Sequence, residues 1–552
     1  MRLSTSYSLV ITIVLTVLFS CSPKVEDRGN ERVFRMNIAG GLSSLDPAYA
    51  SNVAKWWVNN QLYNGLVSVD TNSAVTPDIA KSWEVSADGK RYVFHLRDDV
   101  TFHDSRVFPE GKGRKVTAHD MVFSLKRVLK TGSGAWIFND KLLEKEGGEL
   151  SDTCFVAQND STVAIYLKKV CPFFISILAM PYCYAVPHEA VSFYGKQLRN
   201  HPVGTGPFQM KEWYEDNKLI LERNKNYWKK DENGNQLPYL DFVEVSFLGD
   251  KNQEFRLFLD KKTDFCYSLY EGARDEVITI EGKIRDHINE NYQVILFPYL
   301  SVSYLGFQVD PKTAFYEDYG TDHPFLDKNF RKALDAAIDK PVLLRYLKNN
   351  IGYAGTEGIV PFGLKGYQSR VKAKEKQAID YLRASKYADV SKLPELSFYV
   401  SESAKSIAEF LQKEWSQKLG VEIKLDMMDG GTLNELANKG KVGLFYVGWI
   451  ADYPDAENFL ALLTTANFKP AGPNKMHYSN PKLDRMFDKA VIEPNEKIRS
   501  SYYEKMDSMM VEDQPVIPLF YDQSLWLAQK NVKGLTSNSL GLLDLEKVSK
   551  TK

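Results

Sequence analysis

The stretch Pro77–Asp104, PDIAKSWEVSADGKRYVFHLRDDVTFHD, holds two strand-like runs on either side of a tight turn. In the second run, Tyr92, Phe94 and Leu96 recur at every second position, which is the side-chain period of a β-strand. The turn is Asp88-Gly89, a strong short-range hairpin signal because glycine accepts the positive φ that tight hairpin turns need. The stretch therefore predicts a β-hairpin.

Outside this hairpin, strand-like and helix-like segments alternate. Thr117 is expected to cap a helix over TAHDMVFSLKRVL, and Pro341 is expected to kink or restart a second helix. From Glu395, strand, loop, helix and strand follow one another, with Leu419-Gly420 as the helix stop. Alternation of this kind favours an α/β fold.

Composition limits the classes of function. The chain has 552 residues, 44% of them hydrophobic, which predicts more than one domain. It carries 70 Lys and Arg against 71 Asp and Glu, a net charge of -1. Nucleic acid is therefore not an expected partner, because binding it needs a basic face. The aromatic content of 12% suits either a large core or an aromatic-lined cleft.

The N-terminus predicts export. Arg2 precedes an apolar run over Leu9–Phe19, too short to span a membrane and typical of a signal peptide. The run ends in LFSC, which resembles the lipobox of bacterial lipoproteins, in which the cysteine carries the lipid. We therefore expect residues 1–21 to be a lipoprotein signal peptide ending at lipidated Cys21, and 22–32 to be a tether. The alternative is an ordinary secretory signal.

Motifs of catalysis and of metal or cofactor binding are missing. The sequence has no HExxH, GxSxG, P-loop or GxGxxG, and its eight histidines are scattered. The loop from Asp231 mimics the start of a calcium loop but has Gln236 at the sixth position and Phe242 at the twelfth. We therefore expect no metal, no cofactor and no enzyme activity. The pairing of the four remaining cysteines stays open; they are Cys154, Cys171, Cys183 and Cys266.

A second informative stretch is Val447–Phe459, VGWIADYPDAENF. An apolar strand carrying Trp449 leads within three residues to Asp452 and then to a turn fixed by Pro454. One interpretation is turn chemistry alone, because Asp and Pro both favour turns. The other is that a rigid strand end holds the Asp452 carboxylate for a ligand.

Several segments in order resemble the family 5 solute-binding proteins of bacterial ABC importers, the oligopeptide-, dipeptide- and nickel-binding type. The matching segments are LDPAYA, QLYNGLVSVD, the hairpin stretch, TAHDMVFSLKRVL, GTGPF, NKNYW, PFLDKNFRKALDAAIDK and GWIADYPDAENF. The resemblance covers nearly the whole mature chain. It implies a bilobal periplasmic-binding-protein fold, class II-like, with hinged lobes and an extra domain inserted in the first lobe.

The resemblance also implies domain boundaries. Lobe I is expected over 33–75, 205–300 and 515–545, the extra domain over 76–204, and lobe III over 301–514. The segment KKDENGNQLPYLD, residues 229–241, is expected to be surface decoration.

Ligand residues follow from the resemblance only where motifs match. Asp452 is expected to take the α-ammonium of a peptide, and Lys405 its carboxylate, although Lys405 could equally be a solvated helix residue. Ala404, where oligopeptide binders use a histidine, leaves the ligand length open. The remaining expected ligand residues are Trp449, Ile450, Tyr453, Tyr304, Asn52 and Val53.

The expected function is therefore that of a monomeric binding lipoprotein of an ABC importer. It would capture di- to oligopeptides between two lobes and deliver them to a membrane permease, anchored by Cys21 and facing the periplasm or the exterior. Affinity would come from what all peptides share, the backbone amides and two charged ends. The alternatives are a binder of another solute, such as a nickel chelate, haem or an oligosaccharide, and a surface hydrolase.

Overall fold

The predicted hairpin is present in the computed structural model of the protein, with Gly89 at φ +69° in its turn. Strands Ala80–Val85 and Arg91–Leu96 pair antiparallel, and the second also pairs with Thr162–Tyr166. The alternating aromatic and leucine side chains of the second strand are buried. The period-2 pattern was therefore a correct prediction of strand and of burial.

Residues 31–131, 138, 145–146, 149–150, 153–267, 269, 271–364, 377–470 and 472–551 are described by the structure. The predicted signal peptide, Cys21 and nearly all of the predicted tether lie outside these residues. Within them, no helix has both the length and the apolar character to cross a membrane. Arg32–Lys552 form one compact unit.

The described strands are numbered in chain order. They are β1 Val33–Asn37, β2 Val67–Val69, β3 Val75–Pro77, β4 Ala80–Val85, β5 Arg91–Leu96, β6 Lys145–Glu146, β7 Glu149–Leu150, β8 Phe155–Asn159, β9 Thr162–Tyr166, β10 Phe208–Tyr214, β11 Lys218–Arg223, β12 Phe242–Ser246, β13 Phe265–Cys266, β14 Tyr292–Phe307, β15 Tyr353–Ala354, β16 Ser397–Ser401, β17 Lys424–Met428, β18 Leu444–Ile450, β19 Val516–Gln529, β20 Val532–Lys533 and β21 Ser549–Lys550.

The described helices lie between and after these strands. The α-helices are Val53–Leu62, Ala118–Thr131, Phe174–Leu178, His188–Tyr194, Lys251–Leu259, Glu271–Val277, Asp286–Asn291, Ala314–Tyr319, Lys328–Ala337, Lys340–Lys348, Ala378–Ala384, Lys405–Leu419, Gly430–Asn438, Glu457–Leu460, Pro481–Ala490 and Glu496–Asp513. The 3-10 helices are Pro47–Tyr49, Pro109–Gly111, Pro181–Cys183, Gly195–Asn200, Pro324–Leu326, Val390–Lys392, Glu402–Ala404, Ala461–Leu463 and Thr465–Asn467.

Three sheets organise the unit. One has the order β1-β12-β11-β10, another β4-β5-β9-β8, and the largest β13-β19-β14-β18-β16-β17 with β15 added on β19. The β4-β5-β9-β8 sheet lies wholly within 76–204, the range predicted for the extra domain. The lobe and domain boundaries themselves stay predictions. Parallel pairs, such as β16 with β17, occur beside antiparallel ones, as in a mixed α/β fold.

The long strands β14 and β19 change register twice, and the first change, between Pro298 and Val302, is the larger. They pair over Tyr292–Pro298 with Gln523–Gln529 and again beyond Val302 with Tyr521, so that residues 299–301 lie opposite Asp522 alone. Ser301 Oγ donates to Asp522 Oδ2 at 2.6 Å, and Lys348 forms an ion pair with the same carboxylate. We call residues 299–301 with Asp522 the strand bulge.

Helices also begin and end where the sequence predicts. The helix at Ala118 begins after Thr117, whose backbone N–H and hydroxyl both donate to Asp120. The helix Lys405–Leu419 ends at Gly420 in the left-handed conformation, and a new helix starts at Lys340 with Pro341 in its first turn. These signals are local, which is why the sequence suffices to find them.

The expectation for KKDENGNQLPYLD is wrong at both ends of the segment. Lys229 Nζ lies 3.1 Å from Asp78 Oδ1 and 3.0 Å from Glu546 Oε2, and Leu237 and Leu240 are fully buried. The exposed part is the tip, where the Asp231 side chain closes a turn by accepting from two backbone N–H groups. The ends of the segment are part of the core because burial of Leu237 and Leu240 stabilises the fold.

Candidate ligand-binding site

The end of β18 and the turn after it are joined by Asn458. Its side-chain oxygen accepts from Trp449 Nε1 at 2.8 Å and from the Asp452 backbone N–H at 3.1 Å. Asn458 is fully buried in the short helix Glu457–Leu460. One amide therefore fixes both the Trp449 indole and the backbone that carries the Asp452 carboxylate.

The Asp452 side chain is half-buried, and no ion pair is formed by it within the part of the chain that the structure describes. Burial raises the pKa of Asp452 to about 7, while the neighbouring Asn458 side chain acts in the opposite direction. A carboxylate that loses water without gaining a cation favours its neutral form. An ammonium group placed beside it would restore the charged form, so Asp452 can serve as a receptor for a cationic ligand group.

Tyr453 is packed against protein. Its ring stacks on Phe173 with 5.3 Å between ring centroids and 8° between planes, and its hydroxyl donates to Glu457. Phe173 lies in the range predicted for the extra domain, and Tyr453 in the range predicted for lobe III. The stack brings those two ranges together beside Asp452, while a direct role of Tyr453 at a ligand stays a prediction.

Trp449 and Ile450 lie on opposite faces of the sheet because they are neighbours in a strand. Trp449 pairs with Val302 and shares its face with Tyr304, whose side chain is fully buried. Ile450 pairs with Ser301 on the other face and is exposed. Contacts of Trp449, Ile450 and Tyr304 with a ligand stay predictions.

Asn52 and Val53 lie at the start of a helix whose first turn holds the preceding loop. The Asn52 side chain accepts from the Lys55 backbone N–H at 3.0 Å, and Val53 is the first helical residue. Lys55 Nζ donates to Tyr49 O at 3.2 Å, and Trp56 Nε1 donates to Ala50 O at 2.7 Å. These bonds hold the loop in one conformation, as a segment that pairs with an extended ligand requires.

Lys405 begins the helix Lys405–Leu419 and is 57% exposed, with its Nζ 3.7 Å from Glu409 Oε1. This is the geometry of an exposed pair one helical turn apart. The structure does not bring Lys405 together with Asp452 in any contact of the described residues. Its role at a ligand carboxylate stays a prediction beside the solvated alternative.

Sequence reasoning missed Tyr182 as well as Asn458. Tyr182 lies in the 3-10 turn Pro181–Cys183, is 3% exposed, and has a hydroxyl with no hydrogen-bond partner among the described residues. Burial, and next the charge of Asp452, raise the pKa of Tyr182 well above its usual value. No local pattern in the segment PYCY indicates a role for Tyr182, because Asp452, the charge that acts on it, lies 270 residues later in the chain.

Among the described residues, one group of two carboxylates and a histidine lies close enough together to be considered as a cation site. Asp120, His188 and Glu189 come together, but the Arg114 guanidinium donates to Asp120 at 2.7 and 2.8 Å and to Glu189 at 2.6 and 2.8 Å. A cation therefore already sits between these carboxylates. The four described cysteines are buried.

A cavity of about 550 Å³ lies beside the Lys229 ion pairs. It is lined by residues from 60–78, 179–184, 207–229 and 534–547, and by none from 301–514. It is therefore separate from the turn that carries Asp452.

Comparison with known proteins identifies the family. Residues 74–470 match bacterial extracellular solute-binding proteins, family 5 Middle. This range is most of the chain, and the protein belongs to that family.

Individual relatives are distant but cover the chain almost completely. The dipeptide-binding protein DppE of Bacillus subtilis is 24% identical, over 94% of this chain and 91% of the relative. The periplasmic oligopeptide-binding protein OppA of Salmonella typhimurium is 25% identical, over 96% of each. The Escherichia coli murein tripeptide binding protein MppA shares the fold, with a TM-score of 0.79, 23% identity, and coverage of 95% and 99%. The bilobal α/β fold predicted from the sequence is thus confirmed.

Proposed function

We propose that this protein captures peptides at the Asp452 site and delivers them to the membrane permease of an ABC importer. The observation that carries the proposal is the Asp452 carboxylate, which is removed from water and has no cation partner in the described part of the chain. A peptide supplies that cation at its α-ammonium group. The names of the relatives, which bind dipeptides, oligopeptides and a murein tripeptide, support the same class of ligand.

The mechanism is capture and release without a chemical step. A site for many sequences must hold the backbone and the charged ends, because the side chains differ from one peptide to the next. Asn458 keeps the Asp452 turn in place, so little entropy is lost there on binding. Pairing in a dry cleft gives specificity, although the desolvation of both charges offsets part of the attraction.

The first test is calorimetric titration with di- to penta-alanine, free and N-acetylated, against wild type and Asp452→Asn. Removing one partner of a buried charge pair costs about 2–5 kcal/mol, so the Asn variant should bind free peptide roughly 30-fold more weakly or worse. Acetylation should weaken wild type similarly and the variant little further, because both changes delete one interaction. Asp88→Asn, in the exposed hairpin turn, is the control and should bind like wild type.

Equal affinity of wild type for free and acetylated peptide would contradict the proposal that Asp452 binds the α-ammonium group. Mass spectrometry of ligand released from the purified protein distinguishes the alternatives. A nickel chelate, haem or an oligosaccharide would replace the peptide proposal, and peptides recovered in cut form would indicate a hydrolase.

We further propose that the mature protein is a monomer anchored in the membrane by lipid on Cys21, facing away from the cytoplasm. The LFSC motif supports this anchor. A labelled palmitate analogue should enter wild type and the control Ser22→Ala, but not Cys21→Ala, which should leave the membrane fraction. Wild-type protein that takes up no label would contradict the lipid anchor.

A further inference from the structure

The Tyr182 hydroxyl is a buried polar group whose presence the fold does not explain. It has no hydrogen-bond partner among the described residues, although the side chain is 3% exposed. A buried hydroxyl without a partner is unfavourable, so a partner supplied from outside is a reason to retain it. We propose that Tyr182 is a specificity-determining residue that, together with Asp452, selects ligands with a primary ammonium group. This inference rests on the function proposed above.

The position of Tyr182 places it between the other predicted ligand segments. The turn Pro181–Cys183 packs against the 3-10 helix Pro47–Tyr49 and against the helix Val53–Leu62. Those two elements flank the loop that is predicted to pair with a peptide backbone. The charge of Asp452 also acts on the Tyr182 hydroxyl and, after burial, raises its pKa.

The same neighbourhood is held by a second contact. Phe173, nine residues before Tyr182, stacks on Tyr453, the residue that follows Asp452. The segment that carries Tyr182 and the turn that carries Asp452 are therefore packed together near both residues. The proposal therefore has both groups contact the same ligand ammonium from different parts of the chain.

The chemistry of the pair fits a primary ammonium. Such a group has three N–H donors: one pairs with the Asp452 carboxylate, and a second donates to the Tyr182 hydroxyl oxygen. The Tyr182 O–H then donates onward to the free Asp452 oxygen or to the first carbonyl of the ligand. A trimethylammonium group keeps the charge but has no N–H, so it can satisfy neither hydrogen bond.

The experiment titrates wild type and Tyr182→Phe with tri-alanine carrying a free, an N-acetylated or an N-trimethylated terminus. Tyr182→Phe should weaken binding of the free peptide about tenfold and leave binding of the trimethylated peptide unchanged, since a trimethylammonium group has no N–H to donate. The acetylated peptide keeps one uncharged amide N–H and should lose less affinity than the free peptide. The matched control is Tyr184→Phe, whose hydroxyl in the same segment donates to Asn60 Oδ1 at 2.8 Å. The control should change no ratio between the three peptides.

Thermal unfolding of the ligand-free proteins provides a second readout. Deleting a hydroxyl without a partner should leave the Tm of Tyr182→Phe equal to that of wild type or higher. A lower Tm, or an equal loss of affinity for all three peptides, would show a structural role and overturn the proposal. If wild type binds none of the three peptides, the proposed function is contradicted for this ligand length. The titration with di- to penta-alanine distinguishes that result from a failure of the Tyr182 assignment.

Discussion

Asp46 is buried and Asp452 is half-buried, and the two carboxylates differ in their neighbours. Asp46 is 4% exposed and accepts from Arg127 Nη1 at 2.8 Å, in an ion pair that joins the start of the chain to the helix Ala118–Thr131. Asp452 has an amide neighbour in Asn458 and no cation among the described residues. The first carboxylate is satisfied by the fold, and the second is not.

The difference separates a structural charge from a functional one. A buried ion pair is completed during folding and then contributes to holding two elements together. A half-buried carboxylate without a cation destabilises the ligand-free protein, because burial disfavours its charged form. Its position is explained if a ligand supplies the missing charge.

The largest effect is expected from breaking the satisfied pair. Arg127→Met leaves Asp46 buried and unpaired, which should lower the free energy of unfolding by about 3–5 kcal/mol in urea titrations. Arg97→Met breaks the exposed pair with Asp99, whose atoms lie 2.7 Å apart, and should cost at most about 1 kcal/mol. Equal losses in the two variants would remove the distinction between Asp46 and an ordinary surface carboxylate.

A smaller effect is expected from pH on peptide affinity. The ligand-free Asp452 has a pKa of about 7, and an ammonium partner lowers it in the complex. Binding therefore requires loss of a proton below pH 7, and affinity should fall by up to about 25-fold from pH 7.5 to pH 5.5. Tyr182, the titratable neighbour, stays protonated throughout because its pKa is raised well above 10.

The control for this profile is Asp452→Asn, whose affinity should be nearly independent of pH over the same range. Calorimetry in buffers of different ionisation enthalpy should also detect the proton released by wild type near pH 6. An affinity of wild type that is constant between pH 5.5 and 7.5 would contradict the assignment of an unpaired carboxylate.

The smallest effect is on stability, and its sign is opposite to that on binding. The pKa of Asp452 is raised from 3.8 in the unfolded chain to about 7 in the fold, so stability is lost as pH rises between these values. At pH 8, ligand-free Asp452→Asn should be more stable than wild type by about 1 kcal/mol, allowing for the water that reaches a half-buried group. Calorimetric scans should show the gain at pH 8 and none at pH 4. A destabilised variant at pH 8 would mean that the carboxylate is satisfied by the fold.

Much of the local structure was predictable from the sequence because its causes are local. The Asp88-Gly89 turn, the Thr117 start and the Gly420 stop each depend on a few neighbouring residues. The ordered motifs also led to the family and, through it, to the bilobal fold. Within the candidate site, the sequence predicts Asp452 and Trp449 together because they share one short stretch, and Asn458 joins them in the structure.

What the sequence could not supply depends on residues far apart in the chain. The strand bulge arises from pairing of β14 with β19, about 220 residues later, and no local pattern indicates where the register changes. The Tyr182 hydroxyl next to Asp452 is equally non-local. The opposite orientation of Trp449 and Ile450 follows from simple alternation, but only after the strand is known to extend through both residues.

The strand bulge also has a mechanical consequence for the candidate site. Leu300, in the bulge, accepts from the backbone N–H of Ala451 at 2.9 Å, so the bulge is bonded to the residue that precedes Asp452. If the two lobes rotate about this irregularity, Asp452 lies close to the fulcrum and is displaced little, whereas points farther along the cleft travel through longer arcs. The end of a ligand bound at Asp452 would then move least when the lobes rotate. Ligands of different length would be accommodated at the opposite end of the cleft, where the lobes separate most.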